Sequence, residues 1–458
     1  MSAAIGLVLL AVSCSGAKTP TSPTATPTTA PPTTAAPPPP ASNSSWPTYH
    51  ANMQRTGVDT TSPAMQDVHQ AWTSTLDGAI YAEPLVEGDR VFVATENDSV
   101  YALSASTGKI AWRTNVGDPI PRSMLPCGNI DPTGITGTPA IDTDTGTLYA
   151  VAFVQPGQHE FVAIDSKTGR LLWRKPADTP GMDPLVHQQR GALAISNGRV
   201  YAPYGGLQGD CGDYHGQVVG MSLDGSGVPS GFQVPSEREA GIWASAGVAV
   251  DQFGNLLVTT GNGSSTLTYD YGDTVIKLSP NLKVLDRWAP SNWRDLNSGD
   301  VDLGSIGPTI LPNGLLFQSG KEGVGYLLRA DHLGGVGGAA FAKQACDGGA
   351  WGGTAALASR VFVPCGDGLV ALKVGSDPPA FTVAWQVGGI FAGPPIVAGG
   401  AVWTVDIVSG RLLAFDLKTG KQLLSQEVGP VEHFTTPTAF DGRLYVAATD
   451  RVVAFTGV

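Results

Sequence analysis

The stretch Arg90-Val-Phe-Val-Ala-Thr-Glu-Asn-Asp-Ser-Val-Tyr-Ala-Leu-Ser-Ala-Ser-Thr-Gly-Lys-Ile-Ala-Trp112 decides the fold. It holds two runs of β-branched, aromatic and small apolar residues, parted by the polar turn Glu96-Asn-Asp98. Thr107-Gly108 then turns the chain into a third run that ends in Trp112. Runs of this length bounded by turn residues read as strands. Gly108 supplies the positive φ that a tight hairpin turn requires. A shorter apolar segment, 81–87, precedes the stretch and is joined to it through Gly88. The unit is therefore four antiparallel strands.

The unit recurs. Pro84, Pro139, Leu193, Gly247, Pro308, Thr354, Pro395 and Pro437 mark the first strand of each copy. Val91, Leu148, Val200, Leu256, Leu315, Val361, Val402 and Leu444 open the second strand. The offset is seven residues in six copies and nine in two. Thr168-Gly169 and Thr419-Gly420 repeat the Thr-Gly turn, and Trp173, Trp288 and Trp385 repeat Trp112. Four-stranded units at this period predict a β-propeller, and eight copies predict eight blades. The last copy has strands over 433–440, 443–448 and 451–455 and lacks a fourth. Gln70-Ala-Trp-Thr-Ser-Thr-Leu76 carries a fourth-strand Trp without a unit of its own. It is expected to complete the eighth blade and so remove the open sheet edges. The expected class is an all-β, eight-bladed propeller of four-stranded blades closed by an N-terminal strand.

Composition narrows the setting. The net charge of −12 repels phosphate backbones, which argues against nucleic acid as a partner. Residues 5–12 are apolar and too short to span a bilayer; they read as a signal-peptide core. Ala11-Val-Ser-Cys14 resembles a bacterial lipobox, which implies lipidation of Cys14. Residues 15–45 are dominated by Thr, Pro, Ala and Ser and cannot bury a core. The expected organisation is a lipoprotein signal over 1–14, a disordered tether over 15–45 and a propeller over 46–458. That implies an extracytoplasmic monomer, anchored to a membrane through lipid or secreted without it.

The pattern Val-Tyr-Ala-Leu…Thr-Gly-Lys…Trp resembles the repeat of the pyrroloquinoline-quinone (PQQ) propeller superfamily, which includes quinoprotein alcohol dehydrogenases and the assembly lipoprotein BamB. Trp46-Pro-Thr-Tyr-His-Ala-Asn-Met-Gln-Arg-Thr-Gly57 resembles the lead-in of such propellers. In the dehydrogenases the resemblance implies a disulfide of adjacent cysteines over one quinone face, a Trp under the other, and Ca²⁺ held by Glu, Asn and Asp. This chain has no adjacent Cys pair and no Cys-x-x-Cys-His. No PQQ or Ca²⁺ requirement is therefore firmly implied, and no catalytic residue is assigned.

Strand direction sorts the loops. Connections between blades and those between second and third strands share one face. The insertions 118–137, 176–190, 203–216 and 289–305 lie there, with Cys127, Cys211, Cys346 and Cys365. Disulfides Cys127–Cys211 and Cys346–Cys365 are expected, in keeping with export. The starts of the first strands ring the channel and nominate Glu83, His187, Arg190, Trp243, Asp302, Trp351 and His433 as ligand-binding residues. Asp300 and Asp302 are weaker candidates for Ca²⁺ through oxygen.

Three functions follow. The leading one is a non-catalytic binding module for a protein, glycan or small molecule on the insertion-bearing face. The second is a PQQ-dependent alcohol or sugar dehydrogenase, with Arg190 on quinone carboxylates, Trp243 or Trp351 stacking, and Asp302 as metal ligand or base. The third is a scaffold in envelope-protein assembly, like BamB.

Overall fold

The computed structural model describes residues 45–457. The expectations for residues 1–44, including the signal, Cys14 and nearly all of the tether, lie outside the described residues.

Eight antiparallel blades form the propeller. Blade 1 is Leu85–Glu87, Arg90–Thr95, Ser99–Ser104 and Ile110–Asn115. Its second and third strands are buried nearly throughout, because both of their faces meet a neighbouring blade. The fourth is an edge strand with exposed alternate residues. Blade 8 comprises Thr438–Phe440, Arg443–Ala448, Arg451–Thr456 and His69–Thr75. His69–Thr75 pairs antiparallel with Arg451–Thr456, from His69 opposite Thr456 to Thr75 opposite Arg451. The N-terminal strand thus closes the ring.

First strands are shorter than the sequence pattern suggests. Blade 1 starts pairing at Leu85 rather than 81, and blade 8 at Thr438 rather than 433. Pro84 and Pro437 have no N–H for a ladder bond. Near the axis, neighbouring blades also compete for the backbone: the Glu83 N–H donates to Thr138 Oγ1 of blade 2 at 2.9 Å.

Four of the blades are fastened to the next by a fourth-strand Trp. Trp72, Trp112, Trp173 and Trp385 donate their indole N–H to the carbonyls of Ala105, Ser166, Leu223 and Leu417 in the following blade, at 3.0–3.3 Å. The turn glycine of that following blade lies against the same indole. A Cβ on Gly108, Gly169, Gly225 or Gly420 would stand 2.5–2.9 Å from ring atoms. Glycine is needed at these turns for clearance as well as for its positive φ. Trp288 is fully buried against Tyr326, 4.7 Å between ring centres, and its N–H has no partner among the described residues.

The lead-in closes the channel at the face opposite the long loops. Ser45–Trp46 pairs with Glu87 and Val86 of blade 1. The carbonyls of Pro47, Met53, Gln54, Thr56 and Gly57 accept N–H groups of Ile141, Val250, Ile310, Ala356 and Val397, in blades 2, 4, 5, 6 and 7. Arg55 reaches blade 3 at the Leu193 carbonyl (2.8 Å), and Tyr49 meets Thr436 of blade 8 at 3.4 Å. The segment thereby bonds to every blade. Arg55 is 1% exposed, and its guanidinium is satisfied by Val248, Leu193 and Tyr49 carbonyls and the Thr48 hydroxyl.

Candidate functional site

With one end closed, the axis opens as a cavity of about 520 Å³ on the insertion-bearing face. Two sets of loops build it. Arg190, Trp243, Trp351, His433 and Phe434 come from segments leading into first strands; Asp300 and Asp302 follow the short helix Trp293–Gly299. Asn262 and Lys321 come from connections after second strands. The ring converges there because every blade starts at the axis and aims the same two connections at one face.

Five of the seven residues nominated from the sequence line this cavity: Arg190, Trp243, Asp302, Trp351 and His433. Two do not. Glu83 is 2% exposed and belongs to the closed end, accepting Trp46 Nε1 and the His50 N–H, each at 2.9 Å. Burial raises its carboxyl well above the ordinary range. His187 stands behind the wall. Its Nδ1 lies 2.7 Å from the Asp183 carbonyl, and its ring meets Tyr214 edge-on, so Tyr214 reaches the cavity instead.

Three aromatic side chains group at the axis. Trp351 and Phe434 are stacked, 18° between planes and 6.4 Å between centres; Trp243 lies 6.5 Å from Trp351 and 6.2 Å from Phe434. Two cations flank them. Arg190 holds its guanidinium 4.8 Å from the Phe434 ring centre and 5.7 Å from Tyr81. No hydrogen-bond acceptor or ion-pair partner engages this guanidinium among the described residues. Burial lowers its pKa, and attraction to Tyr81, Glu96 and Glu432 opposes that.

Lys321 Nζ, 6.0 Å and 5.8 Å from the Trp243 and Trp351 ring centres, contacts Asp302 Oδ2 at 2.6 Å and Asp300 Oδ1 at 2.8 Å. The other Asp302 oxygen accepts the Asn262 N–H at 2.7 Å. Burial raises the Asp302 carboxyl, with Lys321 opposing. Burial alone lowers the Lys321 ammonium; attraction to Asp302 and bonds to both aspartates outweigh it and hold it above its ordinary value. Among the described residues no three His, Cys, Asp or Glu side chains are grouped to hold a metal ion.

Lys321 was absent from the residues nominated above because those came from first-strand starts alone. The face rule also covers connections from second to third strands. Lys321, in Gly320-Lys-Glu-Gly323, is the one Lys or Arg in those eight connections. Phe434 carried no comparable signal, since apolar residues at such positions ordinarily pack.

The cysteines reinforce the rim. Cys127 is bonded to Cys211, which ties the loop leading into blade 2 to the long connection of blade 3. Cys346 is bonded to Cys365 within blade 6.

A sequence profile of the family described as outer membrane protein assembly factor BamB matches residues 66–271 and 368–457. The chain belongs to this family. Beyond BamB itself, the chain is 24% identical over 428 residues to a polyvinylalcohol dehydrogenase of Sphingopyxis sp. (strain 113P3), covering 78% of this chain and 62% of that one. It spans less than two thirds of the polyvinylalcohol dehydrogenases it matches, 62% of one and 36% of another from Pseudomonas sp.. Many solved structures share the fold, among them a dehydrogenase and a BamB. A europium-containing methanol dehydrogenase superposes with a TM-score of 0.69 at 15% identity, over 91% of this chain and 98% of that one. BamB from Moraxella catarrhalis superposes with a TM-score of 0.56 at 15% identity, over 85% and 98%. The fold thus joins BamB with dehydrogenases, and the cavity residues must distinguish roles.

A flat quinone bearing carboxylates would find aromatic planes in Trp243 and Trp351 and a cation in Arg190. The Ca²⁺ that the resemblance implies beside a quinone would not find a free donor set in Asp300 and Asp302, whose carboxylates are already joined to Lys321.

Proposed function

We propose that this chain is an extracytoplasmic propeller that binds a flat, carboxylate-bearing small molecule in its axial cavity, with PQQ the best-suited ligand. The observation that carries this is Arg190. A guanidinium drawn from bulk water costs free energy unless it is paired. Here it is held on two rings, with its donors unused, beside a cavity floored by indoles. A ligand carboxylate accepts two parallel hydrogen bonds from such a group. The ring faces of Trp243 and Trp351 offer stacking to its plane.

The reading favours binding over turnover. A general base needs an oxygen free to take a proton. Asp302, the carboxylate best placed for that role, spends one oxygen on Lys321 and the other on Asn262. A bound quinone would supply two-electron redox chemistry of its own. The chain's contribution is to orient it through Arg190 and to stack it. With this reading we place the chain outside the cytoplasm, where the two disulfides persist. A lipid anchor at Cys14 and a tether over 15–45 belong to the same proposal.

The test is titration of the purified chain with PQQ, followed by indole fluorescence quenching. Wild type is expected to saturate. Arg190→Met is expected to weaken binding about 10- to 100-fold, the cost of one charge-assisted pair. Absence of saturable quenching, or equal affinity in the variant, refutes the proposal.

The family profile favours a second reading, a scaffold for envelope-protein assembly. That reading requires envelope proteins to co-purify with the chain, and their capture to be unaffected by Arg190→Met.

A further inference from the structure

We infer that the Lys321 ammonium is a built-in replacement for a divalent cation, so that anion binding in the axial cavity proceeds without metal. The inference deepens the reading above and rests on it only for the identity of the ligand.

The donor set around Nζ is entirely oxygen. Asp302 Oδ2 stands at 2.6 Å, Asp300 Oδ1 at 2.8 Å and the Asp300 carbonyl at 3.1 Å. Two carboxylates and a backbone carbonyl are the ligands a hard cation such as Ca²⁺ takes. A lysine ammonium has three donors, and these three oxygens use all of them. The position is enforced by the backbone. Asp300 caps the helix Trp293–Gly299 in the left-handed region, φ 52°, with its N–H on the Leu296 carbonyl. The Lys321 N–H donates to the Asp302 carbonyl at 2.9 Å, so the two segments are joined along the main chain as well. The Asp302 side chain is 4% exposed and the Lys321 side chain 20%, so the pair borders the cavity without floating in solvent.

Charge explains why a cation is needed. Without a positive charge the carboxylates of Asp300 and Asp302 would repel an anionic ligand. The ammonium covers them permanently, because it is covalently attached. A metal ion would have to displace it to reach Asp302 Oδ2.

Terbium reads this directly, since an indole within a few ångströms sensitises its emission and Ca²⁺ competes for the same oxygens. Wild type is expected to show no sensitised emission up to ~1 mM Tb³⁺, the range in which extracellular Ca²⁺ modules bind. Lys321→Met is expected to gain emission that Ca²⁺ displaces and that Asp302→Asn, added to it, abolishes. Emission from wild type that Asp302→Asn removes overturns the inference, as does a folded Lys321→Met without emission. If Lys321→Met does not fold, the wild-type arm alone decides between the two. In parallel, PQQ affinity of wild type is expected to be equal in EGTA and in Ca²⁺. Binding that requires Ca²⁺ overturns the inference; no PQQ binding in either buffer sinks the proposed function and leaves the terbium result standing.

Discussion

Replacing the indole that locks blade 8 to blade 1 tests how the ring is closed. Trp72 is 9% exposed, donates to the Ala105 carbonyl at 3.0 Å and lies 5.9 Å from Tyr445. Trp72→Ala removes a large buried side chain, which costs about 3–5 kcal/mol, and one hydrogen bond of about 1 kcal/mol. Gly108→Ala acts on the other side of the same contact. Its φ of 68° costs an L-residue about 1–2 kcal/mol, and the new methyl would stand 2.5 Å from the indole, adding about 1–3 kcal/mol of overpacking. In the double variant the indole is gone and the overpacking with it, while the φ cost stays. The double variant is therefore expected to be about 1–3 kcal/mol more stable than the sum of the single losses. Urea denaturation of the three variants and wild type completes the cycle. Additivity within about 0.5 kcal/mol would refute the contact as the reason for glycine at this turn.

Two further outcomes extend the predictions for Arg190 and Lys321. Burial raises the Glu96 carboxyl from 4.5 to about 7, with Gly134 and Thr136 opposing. The folded state therefore holds a proton that the unfolded chain releases, and stability is expected to fall as pH rises from about 4.5 to 7. The loss is on the order of 3 kcal/mol, and Glu96→Gln should flatten the dependence of the urea midpoint over that window. Cys127 and Cys211 close a loop with a sequence separation of 84. Replacing both with Ser is expected to cost up to about 4–5 kcal/mol through unfolded-chain entropy. An unchanged midpoint for the double serine variant would rule that contribution out.

Much of this protein is local in origin. Strands, turns and their order follow from residues within a few positions of each other, so Arg90–Thr95 and Ser99–Ser104 were readable to the residue. Closure was readable because a lone Trp72 strand and a unit lacking its fourth strand leave each other as partners. Strand direction put the four cysteines on one face, and the pairs followed from adjacent blades for Cys127 and Cys211 and from a shared blade for Cys346 and Cys365. The cavity was only partly legible. Glu83 and His187 sit at first-strand starts like Arg190, yet the lead-in claims one and Tyr214 covers the other.

What the chain determined by itself is the repeat, the number of blades and the face that carries the long loops. Those depend on short-range geometry, in which turn chemistry and side-chain period act alone. The tertiary structure decided which side chains meet at the axis, that the lead-in closes one end, and that Lys321 rather than open space lies between Asp300 and Asp302. Such convergence joins residues from blades far apart in sequence. It depends on the rotation of each blade about the axis and on loop lengths, and no local pattern encodes that sum.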